Sequence, residues 1–223
     1  MIEAIGISKS YSKKTVLSDI NFSAKACESV VIVGRNGAGK STLLSILAGY
    51  LKPDKGYIFT NKDKVAFCPQ TDVLFEELTV ADNILFWSKA NSGSKDIQSS
   101  SSNLYELFEV DTYSKKKVSQ LSGGMKKCVA ITAALTNDAN ILILDEPFAG
   151  LDIFYKDILL SAFHALKSRG KTIIYTSHNT DEIMGLDSNI YALSEGKLAV
   201  VDTIAKDSNY EQIRRSLLEY SRS

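Results

Sequence analysis

The stretch GRNGAGKST, at residues 34–42, lies between an apolar run and a segment with helical spacing. The run SVVIV before it is typical of a buried strand, and KSTLLSILAG after it is typical of a helix that ends at Gly49. The three glycines of the stretch allow a tight loop whose backbone N–H groups point inward. The stretch therefore predicts a strand, a loop and a helix, which together begin an α/β domain.

The spacing of this loop matches the phosphate-binding pattern G-x-x-x-x-G-K-[ST]. In such a P-loop, backbone N–H groups and the N-terminus of the next helix bind the phosphates of ATP. Lys40 would reach the β- and γ-phosphates, and the hydroxyl of Ser41 would ligate Mg²⁺. A glycine-rich turn without a ligand is the alternative, which the flanking strand and helix disfavour. The predicted ATP-binding residues of the loop are Gly34, Arg35, Asn36, Gly37, Ala38, Gly39, Lys40, Ser41 and Thr42.

A second group of candidates lies in the segment ILILDEP, where Asp145 and Glu146 follow an apolar strand. Ligands of open α/β sheets bind at the carboxyl ends of the strands. Asp145 suits the Mg²⁺ shell, through a water molecule, and Glu146 suits a general base that polarises the attacking water. Such an acidic pair alone would be a solvated strand end, but the P-loop in the same chain favours the catalytic interpretation.

The rest of the chain alternates strands with helices. Near the N-terminus, IEAIGIS and TVLSDINFSA alternate apolar and polar residues and predict antiparallel strands. NILILDEP and KTIIYTSH read as buried strands, GGMKKCVAITAAL and DIFYKDILLSAFHALKSRG as helices, and together they predict a mostly parallel core sheet. NIYALSEGKLAV predicts a hairpin that turns at Glu195 and Gly196. We expect one α/β domain over residues 1–223.

Two segments are predicted to be mainly helical. Between about residues 72 and 118, the patterns TVADNILFWSKA and SNLYELFEV flank the polar connection NSGSKDIQSSSS. This part of the chain predicts a helical lobe inserted in the main domain. The segment YEQIRRSLLEYS predicts a helix in a C-terminal tail at about residues 203–223.

Composition excludes some functions. Lys and Arg total 26, as do Asp and Glu, so the basic footprint of a nucleic-acid-binding protein is missing and no nucleic-acid partner is expected. The three cysteines lack metal-ligand spacing, which favours a reducing compartment over a disulfide framework. The sequence shows no signal peptide and no run near the roughly 18 apolar residues of a membrane span, so we expect any membrane role to come through a partner.

The segment QLSGGMKK, at residues 120–127, lies between the P-loop and the Asp-Glu strand and resembles the signature motif of ABC-type ATPases. DEPFAGLD resembles the family's Asp-Glu strand end and its D-loop. CPQTD resembles the Q-loop, with Gln70, and IIYTSH ends at His178, which resembles the switch histidine. Tyr11 lies upstream of the P-loop, where the family stacks an aromatic ring on adenine. The resemblance covers nearly the whole chain and implies an α/β P-loop NTPase with a mostly parallel core sheet, an N-terminal antiparallel β part and an inserted helical lobe.

The resemblance implies a site that two chains share. Ser122, Gly123 and Gly124 would begin a helix and form a second anion site, without a lysine, for the ATP of a partner chain. Asp152 would reach across the dimer, would cap the helix that follows it, or would do both. The partner would be a second copy of the chain or a paired ABC-type ATPase subunit, packed head-to-tail.

The resemblance also implies roles outside the P-loop. Gln70 would offer its side-chain carbonyl to Mg²⁺ or water, His178 would contact the γ-phosphate, and Tyr11 would stack on adenine. The alternatives are a satisfied polar residue for His178 and a turn tyrosine for Tyr11. The catalytic set would then be Lys40, Gln70, Glu146 and His178, and the metal set Ser41, Gln70 and Asp145.

Met125 departs from the family pattern, because the signature usually ends in glutamine or a similar polar residue at this position. Methionine has no amide donor, so we expect dimer closure to be weaker or retuned rather than lost. Met125 therefore keeps a further alternative open, in which the protein binds nucleotide without hydrolysing it. Glu146 and His178 argue against this alternative.

The resemblance implies a subunit that hydrolyses ATP to power a membrane transporter whose membrane-spanning subunits are separate chains. The segment LTVADNILFW looks more like exporters, and the protein would be cytoplasmic, held on the inner face of the membrane by an integral membrane permease. The alternative is a soluble ABC-type ATPase that drives another process, such as cofactor assembly. Four apolar side chains of the lobe would line a groove for a helix of the permease or would form the lobe's own core: Phe75, Leu78, Phe86 and Trp87.

Overall fold

The computed structural model of the protein describes residues 1–60, 65–71, 73–92 and 104–203. One of its two sheets is antiparallel and contains β1, Ile2–Tyr11, β2, Lys14–Ala24, and β4, Lys55–Phe59. The strand order of this sheet is β2-β1-β4, and β1 pairs with both neighbours. This sheet confirms the antiparallel strands predicted near the N-terminus.

The second sheet is the core of the domain. Its strands are β3, Ser29–Val33; β5, Val65–Cys68; β6, Ile141–Leu144; β7, Thr172–Thr176; β8, Asn189–Ser194; and β9, Lys197–Thr203. The order is β5-β6-β7-β3-β8-β9, and only the last pair is antiparallel, which confirms the mostly parallel core sheet. The β8–β9 hairpin turns at Glu195 (φ 47°) and Gly196 (φ 75°), the left-handed pair that a type I′ turn requires.

The α-helices are α1, Lys40–Leu47; α2, Val80–Ser92; α3, Gly123–Leu135; α4, Ile153–Ser168; and α5, Thr180–Gly185. Short 3₁₀ helices cover Val110–Tyr113 and Val118–Gln120. The sequence did not predict α5, which is short and is capped by the side chain of Asn179. Of the predicted helix SNLYELFEV, residues 104–107 are helical and Glu109 has a left-handed φ of 55°, while residues 102 and 103 lie outside the described residues.

The core sheet is covered on both faces, and this explains why its strands are continuous apolar runs. Along β3, Val31 packs in one apolar layer with the helices α3 and α4, whereas Val30 and Ile32 pack in the other layer with α1 and the antiparallel sheet. β6 alternates in the same way, with Leu142 in the first layer and Ile143 in the second. The two layers fix the order and register of the strands, and therefore the positions of the loops at their ends.

The described part of the predicted lobe packs on α3. It enters and leaves the domain at neighbouring points, because Thr79 and Lys117 form an isolated antiparallel bridge. The loop before α2 is held by Asn83, whose side chain accepts from the N–H of Phe75 (2.8 Å) and donates to its carbonyl (3.0 Å). Most of the polar connection and the tail helix beyond residue 203 lie outside the described residues. Among the helices that the structure describes, none has the length and apolar character needed to cross a bilayer.

Candidate functional site

Three neighbouring parallel strands bring the candidate segments to one edge of the core sheet. β6, β7 and β3 are adjacent, and the chain leaves their carboxyl ends at Asp145, Ser177 and Gly34, respectively. Ligands of open α/β sheets bind at this edge. The fold therefore places the P-loop beside the acidic pair, although more than 100 residues separate them in the sequence.

Each of the three glycines of the P-loop is favoured by its own surroundings or backbone conformation. A Cβ on Gly34 would collide with the carbonyl oxygen of Leu193, and a Cβ on Gly39 would lie 2.8 Å from Cγ1 of Val16. Gly37 and Gly39 also have left-handed φ values of 81° and 103°, which favour glycine. The loop can therefore approach both the β8–β9 hairpin and β2 only with glycine at these positions.

Lys40 is the first residue of α1, and its ammonium group lies inside the curve of the P-loop. The side chain is only 7% exposed, and Nζ donates to the carbonyl oxygens of Gly34 (2.8 Å) and Arg35 (3.2 Å). Nζ also lies 4.0 Å from Oε1 of Glu146, which forms a long ion pair. The loop thus holds a buried positive charge next to a carboxylate.

Asp145 and Glu146 are held by one hydroxyl group of the neighbouring strand. Thr176, the last residue of β7, donates from Oγ1 to Oδ1 of Asp145 (2.7 Å) and accepts from the N–H of Glu146 (2.7 Å). Asp145 and Thr176 are buried. Glu146 has a left-handed φ of 46°, which is uncommon for a residue with a side chain and clusters at functional sites in proteins. Thr176 therefore fixes the geometry of both acidic residues.

Gln70 joins this group from the end of β5. Its Nε2 donates to Oε2 of Glu146 (3.3 Å), and its backbone carbonyl accepts from Nζ of Lys127 (3.2 Å), a lysine of α3 that is only 5% exposed. The N–H of Asp145 donates to the carbonyl of Cys68, which ties the ends of β5 and β6 together (3.0 Å). Gln70 is thus in contact with the predicted general base and lies where the predicted lobe begins.

A cleft of about 420 Å³ opens between these elements, and we call it the P-loop cleft. Its volume lies within the range of about 300–1,000 Å³ that small-molecule pockets occupy. The cleft brings together the P-loop, Gln70 and Glu146, whereas the buried Asp145 is not among its lining residues. It is lined by Val16, Asn36, Gly37, Gly39, Lys40, Ser41, Thr42, Gln70 and Glu146.

Five predicted nucleotide contacts are not among these lining residues: Gly34, Arg35 and Ala38 of the P-loop, and the rings of Tyr11 and His178. Tyr11 is 49% exposed at the end of β1, with the ammonium of Lys9 at 5.9 Å from the centre of its ring. His178 is exposed on the loop after β7. The structure therefore leaves both rings accessible at the surface.

The predicted signature and D-loop residues also lie outside the P-loop cleft of their own chain. Ser122 caps α3, as its sequence position predicts, and its Oγ accepts from the N–H of Met125 (3.3 Å). Asp152 caps α4, and its carboxylate accepts from the N–H of Tyr155 (3.0 Å). This is the helix-capping role that the sequence predicted as one of two for this residue. Met125 is half-buried and packs against the apolar layer of α3 and α4.

Comparison with known proteins identifies the family. The family model described as "ABC transporter" matches residues 17–149, which is more than half of the chain. The chain belongs to the ABC transporter family. Membership makes it an ATP-binding domain whose enzymatic activity is ATP hydrolysis.

Named relatives of this ABC transporter domain have different functions. The chain is 33% identical to the linearmycin resistance ATP-binding protein LnrL of Bacillus subtilis (strain 168), over 91% of this chain and 69% of that protein. It is 33% identical to the Nod factor export ATP-binding protein I of Bradyrhizobium diazoefficiens, over 87% and 68% of the two chains. It is 34% identical to the spermidine/putrescine import ATP-binding protein PotA of Spiroplasma citri, over 94% and 63%.

A solved structure shows the same fold. The dimeric structure of MJ0796, described as a bacterial ABC transporter cassette, superposes with a TM-score of 0.79 at 25% identity. The match covers 89% of this chain and 96% of that chain. This match confirms the predicted P-loop NTPase fold of the ABC transporter family.

The ABC transporter domain contains a buried polar network that the sequence did not predict. The carboxylate of Glu182, in α5, accepts from Ser177 Oγ (2.6 Å) and from Lys156 Nζ in the first turn of α4 (2.8 Å). Ser177 Oγ also accepts from the N–H of Asn179 (3.0 Å). These bonds anchor the loop that carries His178 to the N-terminus of α4.

Burial changes the acidity of one group in α3. It raises the pKa of the Cys128 thiol to about 12, and the nearby charge of Glu109 adds to this effect. The thiol is therefore neutral and unreactive at physiological pH. Among the residues that the structure describes, no group of three or more histidine, cysteine or acidic side chains is placed to hold a metal ion by itself.

Replacing Thr176 with valine is expected to impair this site. Valine keeps the branched shape but removes the hydroxyl that bonds Asp145 and Glu146, so the buried carboxylate loses a partner. We expect the free energy of unfolding to fall by about 1–3 kcal/mol. We also expect ATP turnover to fall, as measured alongside denaturant unfolding. Thr176→Ser is the control, because it keeps the hydroxyl and should retain turnover; equal turnover in the valine variant and wild type would contradict this role.

Proposed function

We propose that the P-loop cleft binds ATP with Mg²⁺ and that the chain uses its hydrolysis to drive a membrane transporter. The observation that carries this proposal is the convergence of the P-loop, Gln70 and Glu146 on one cleft. In this cleft, the buried ammonium group of Lys40 lies 4.0 Å from the carboxylate of Glu146, whose backbone N–H is bonded to Thr176 of the neighbouring strand β7. This arrangement supplies a phosphate-binding charge and a base at the same edge of the sheet.

ATP would bind with its phosphates in the curve of the P-loop. The ammonium of Lys40, which now bonds the carbonyl oxygens of Gly34 and Arg35, is within reach of a phosphate in this curve. The N-terminus of α1 aims its partial positive charge at the same place. The remaining loop residues, from Asn36 to Thr42, would line the phosphates, and Tyr11 would stack on the adenine.

The donor set of the site fits Mg²⁺. The ion would be held by the Ser41 hydroxyl and the Gln70 side-chain carbonyl, with Asp145 acting through water. These are hard oxygen donors, and Mg²⁺ in nucleotide sites takes few protein ligands besides phosphate oxygens and water. When bound, the ion would neutralise the charge that develops on the phosphates.

Hydrolysis requires an oriented water molecule and stabilisation of the γ-phosphate. The carboxylate of Glu146 would accept a proton from that water, because Gln70 and the backbone bond to Thr176 hold it towards the cleft. His178 would donate to the γ-phosphate from the loop that Glu182 anchors through Ser177. The residues of this chain would thus position the attacking water and the γ-phosphate and polarise that water. Positioning and electrostatic stabilisation are the main tasks of a protein in phosphoryl transfer.

A second chain would complete the site. Ser122, Gly123 and Asp152 are exposed and do not line the P-loop cleft of their own chain, so they are available to the ATP of a partner, and Gly124 is buried directly behind Gly123. The similarity to a dimeric ABC transporter cassette supports this arrangement. The partner would be a second copy or a paired ABC-type ATPase subunit.

The predicted lobe offers a surface for a membrane partner. Phe75, Leu78 and Phe86 are between 37% and 46% exposed, and the rings of Phe75, Phe86 and Trp87 contact one another. Beside Trp87 lies an apolar groove of about 300 Å³, whose lining includes Val73 and Leu74. The sequence left open whether these four side chains form the core of the lobe or a surface for the permease. Trp87 is half-buried and packs on the core, whereas Phe75, Leu78 and Phe86 stay exposed. We propose that a helix of an integral membrane permease, encoded as a separate chain, binds in this groove.

The permease would hold the protein on the cytoplasmic face of the membrane. Export is the direction we propose, in line with the segment LTVADNILFW and the similarity to a Nod factor export protein. The similarity to a spermidine/putrescine import protein shows that relatives also serve the opposite direction. A soluble ABC-type ATPase that drives cofactor assembly is the competing function.

Sedimentation of lysate from the native cell separates these two functions. We expect the wild-type protein to pellet with membranes and Phe86→Asp to move to the supernatant, because a charge next to Trp87, at the side of the groove, opposes apolar docking. Tyr57→Asp is the matched control, since Tyr57 is an exposed aromatic residue on β4, away from the lobe. A wild-type protein found in a soluble complex would refute the transport proposal and favour the alternative.

A further inference from the structure

Two consecutive glycines of the signature-like segment have opposite surroundings. Among the residues that the structure describes, nothing lies within 4 Å of a Cβ on Gly123. A Cβ on Gly124 would collide with the ring of Tyr155 and would lie 2.9 Å from its Cβ. Neither glycine has a left-handed φ, so the backbone does not itself require glycine here. The requirement at Gly124 therefore comes from the ring of Tyr155.

The first turn of α4 holds this ring in place. The N–H of Tyr155 donates to the capping carboxylate of Asp152 (3.0 Å), and the ring packs against the apolar layer beneath α3 and α4. The next residue, Lys156, forms the ion pair with Glu182 (2.8 Å). Because the N–H of Tyr155 and the side chain of Lys156 are both bonded, the backbone of Tyr155 cannot move away from Gly124 without moving the start of α4.

We propose that Tyr155 is a positioning residue that sets the start of α3, with Ser122, Gly123 and Gly124, against the start of α4, with Asp152. This inference rests on the proposed function, in which both helix starts serve the ATP of a partner chain. In this arrangement Tyr155 itself would touch neither ATP nor the partner. Its ring fills the space of a missing Cβ and makes the two helix starts one rigid unit, so that both meet the partner in a fixed geometry.

The two glycines then have different tasks. Gly124 lets the helix start rest on the ring of Tyr155, whereas Gly123 leaves its outer side free for the partner. Tyr155 acts through the shape of its ring, because its hydroxyl makes no hydrogen bond to the residues that the structure describes. Phenylalanine should therefore replace it without loss, and leucine should not.

A variant set tests the packing by thermal melting. We expect Gly124→Ala to lower the melting temperature. Gly124→Ala combined with Tyr155→Ala should lower it by less than the sum of the two single changes, because alanine at residue 155 removes the ring carbons that meet the new methyl group. Gly123→Ala is the matched control. It should melt at or above the wild-type temperature, since alanine favours helix and the space around it is open. Additive effects of Gly124→Ala and Tyr155→Ala would overturn the contact.

Turnover kinetics test the positioning role. We expect Tyr155→Leu to lower kcat about tenfold, since small misplacements of a catalytic geometry are costly. The affinity of its P-loop cleft for ATP, measured by equilibrium binding, should stay at the wild-type value, and Tyr155→Phe should behave as wild type. A lower melting temperature with an unchanged kcat per folded molecule would show a packing residue only and overturn the proposal. Absence of ATP turnover in the wild-type protein would refute the proposed function, while the melting experiment still reports on the contact.

Discussion

Replacing Lys40 with alanine is expected to abolish ATP binding and, with it, ATP turnover. Among the described residues that line the P-loop cleft, Lys40 has the only formal positive charge, and its ammonium group is buried where the loop curves around it. Without it, the phosphates of ATP lose a charge-assisted partner in a site shielded from water. We expect the affinity for ATP to fall by at least about a hundredfold, which corresponds to about 2.8 kcal/mol. Equilibrium binding of a fluorescent ATP analogue measures this loss.

The fold should survive this change, and a matched lysine shows whether the effect is specific. Lys171 forms a surface ion pair with Asp138 at the start of β7, at the opposite end of that strand from Thr176. Lys171→Ala should bind ATP as the wild type does, because surface ion pairs contribute little. Wild-type affinity in Lys40→Ala would remove the assignment of the P-loop cleft as the ATP site.

Replacing Glu146 with glutamine is expected to separate binding from hydrolysis. Glutamine keeps the size of the side chain and can still accept from Nε2 of Gln70, but it cannot take a proton from water. We expect kcat to fall by about a hundredfold or more, the typical contribution of a general base. The affinity for ATP should be retained, because Lys40 and the P-loop are unchanged.

Steady-state turnover and ATP binding, measured on the same preparation, test this separation. Glu77→Gln is the control, because Glu77 is exposed in the loop before α2, where it forms a surface ion pair with the half-exposed Lys117. It should turn over ATP at the wild-type rate. Normal turnover in Glu146→Gln would show that another group acts as the base, and loss of ATP binding would show that Glu146 supports the P-loop rather than the chemistry.

The sequence predicted those parts of the site that depend on local spacing. The P-loop requires its glycines within a few residues of Lys40, and buried parallel strands are continuous apolar runs, so both could be recognised in the chain itself. The same apolar run predicted that Asp145 and Glu146 lie at the carboxyl end of their strand, which is the edge of the sheet where ligands bind. Membership of the ABC transporter family confirms the fold that this reasoning gave.

The residues that the sequence did not predict act between elements that are distant along the chain. Thr176 matters because β7 lies beside β6, and Lys127 because the start of α3 lies beside the end of β5. Tyr155 had no motif of its own, and its position against Gly124 is what supports the role that we propose for it. Such contacts depend on strand order and helix packing, which no local pattern in this chain specifies. Polar residues at the ends of apolar strands, such as Thr176, are the one signal that could have indicated them.

The most direct test of a site completed by two chains is gel filtration of the Glu146→Gln variant with ATP and Mg²⁺, which measures the apparent mass of the protein. Slow hydrolysis should keep ATP bound between the P-loop cleft of one chain and the signature-like segment of the other. The account predicts elution at twice the 24.5 kDa mass of the chain with ATP, and as a single chain without nucleotide or when Lys40→Ala is added. Elution as a single chain with ATP bound would contradict a site shared by two copies.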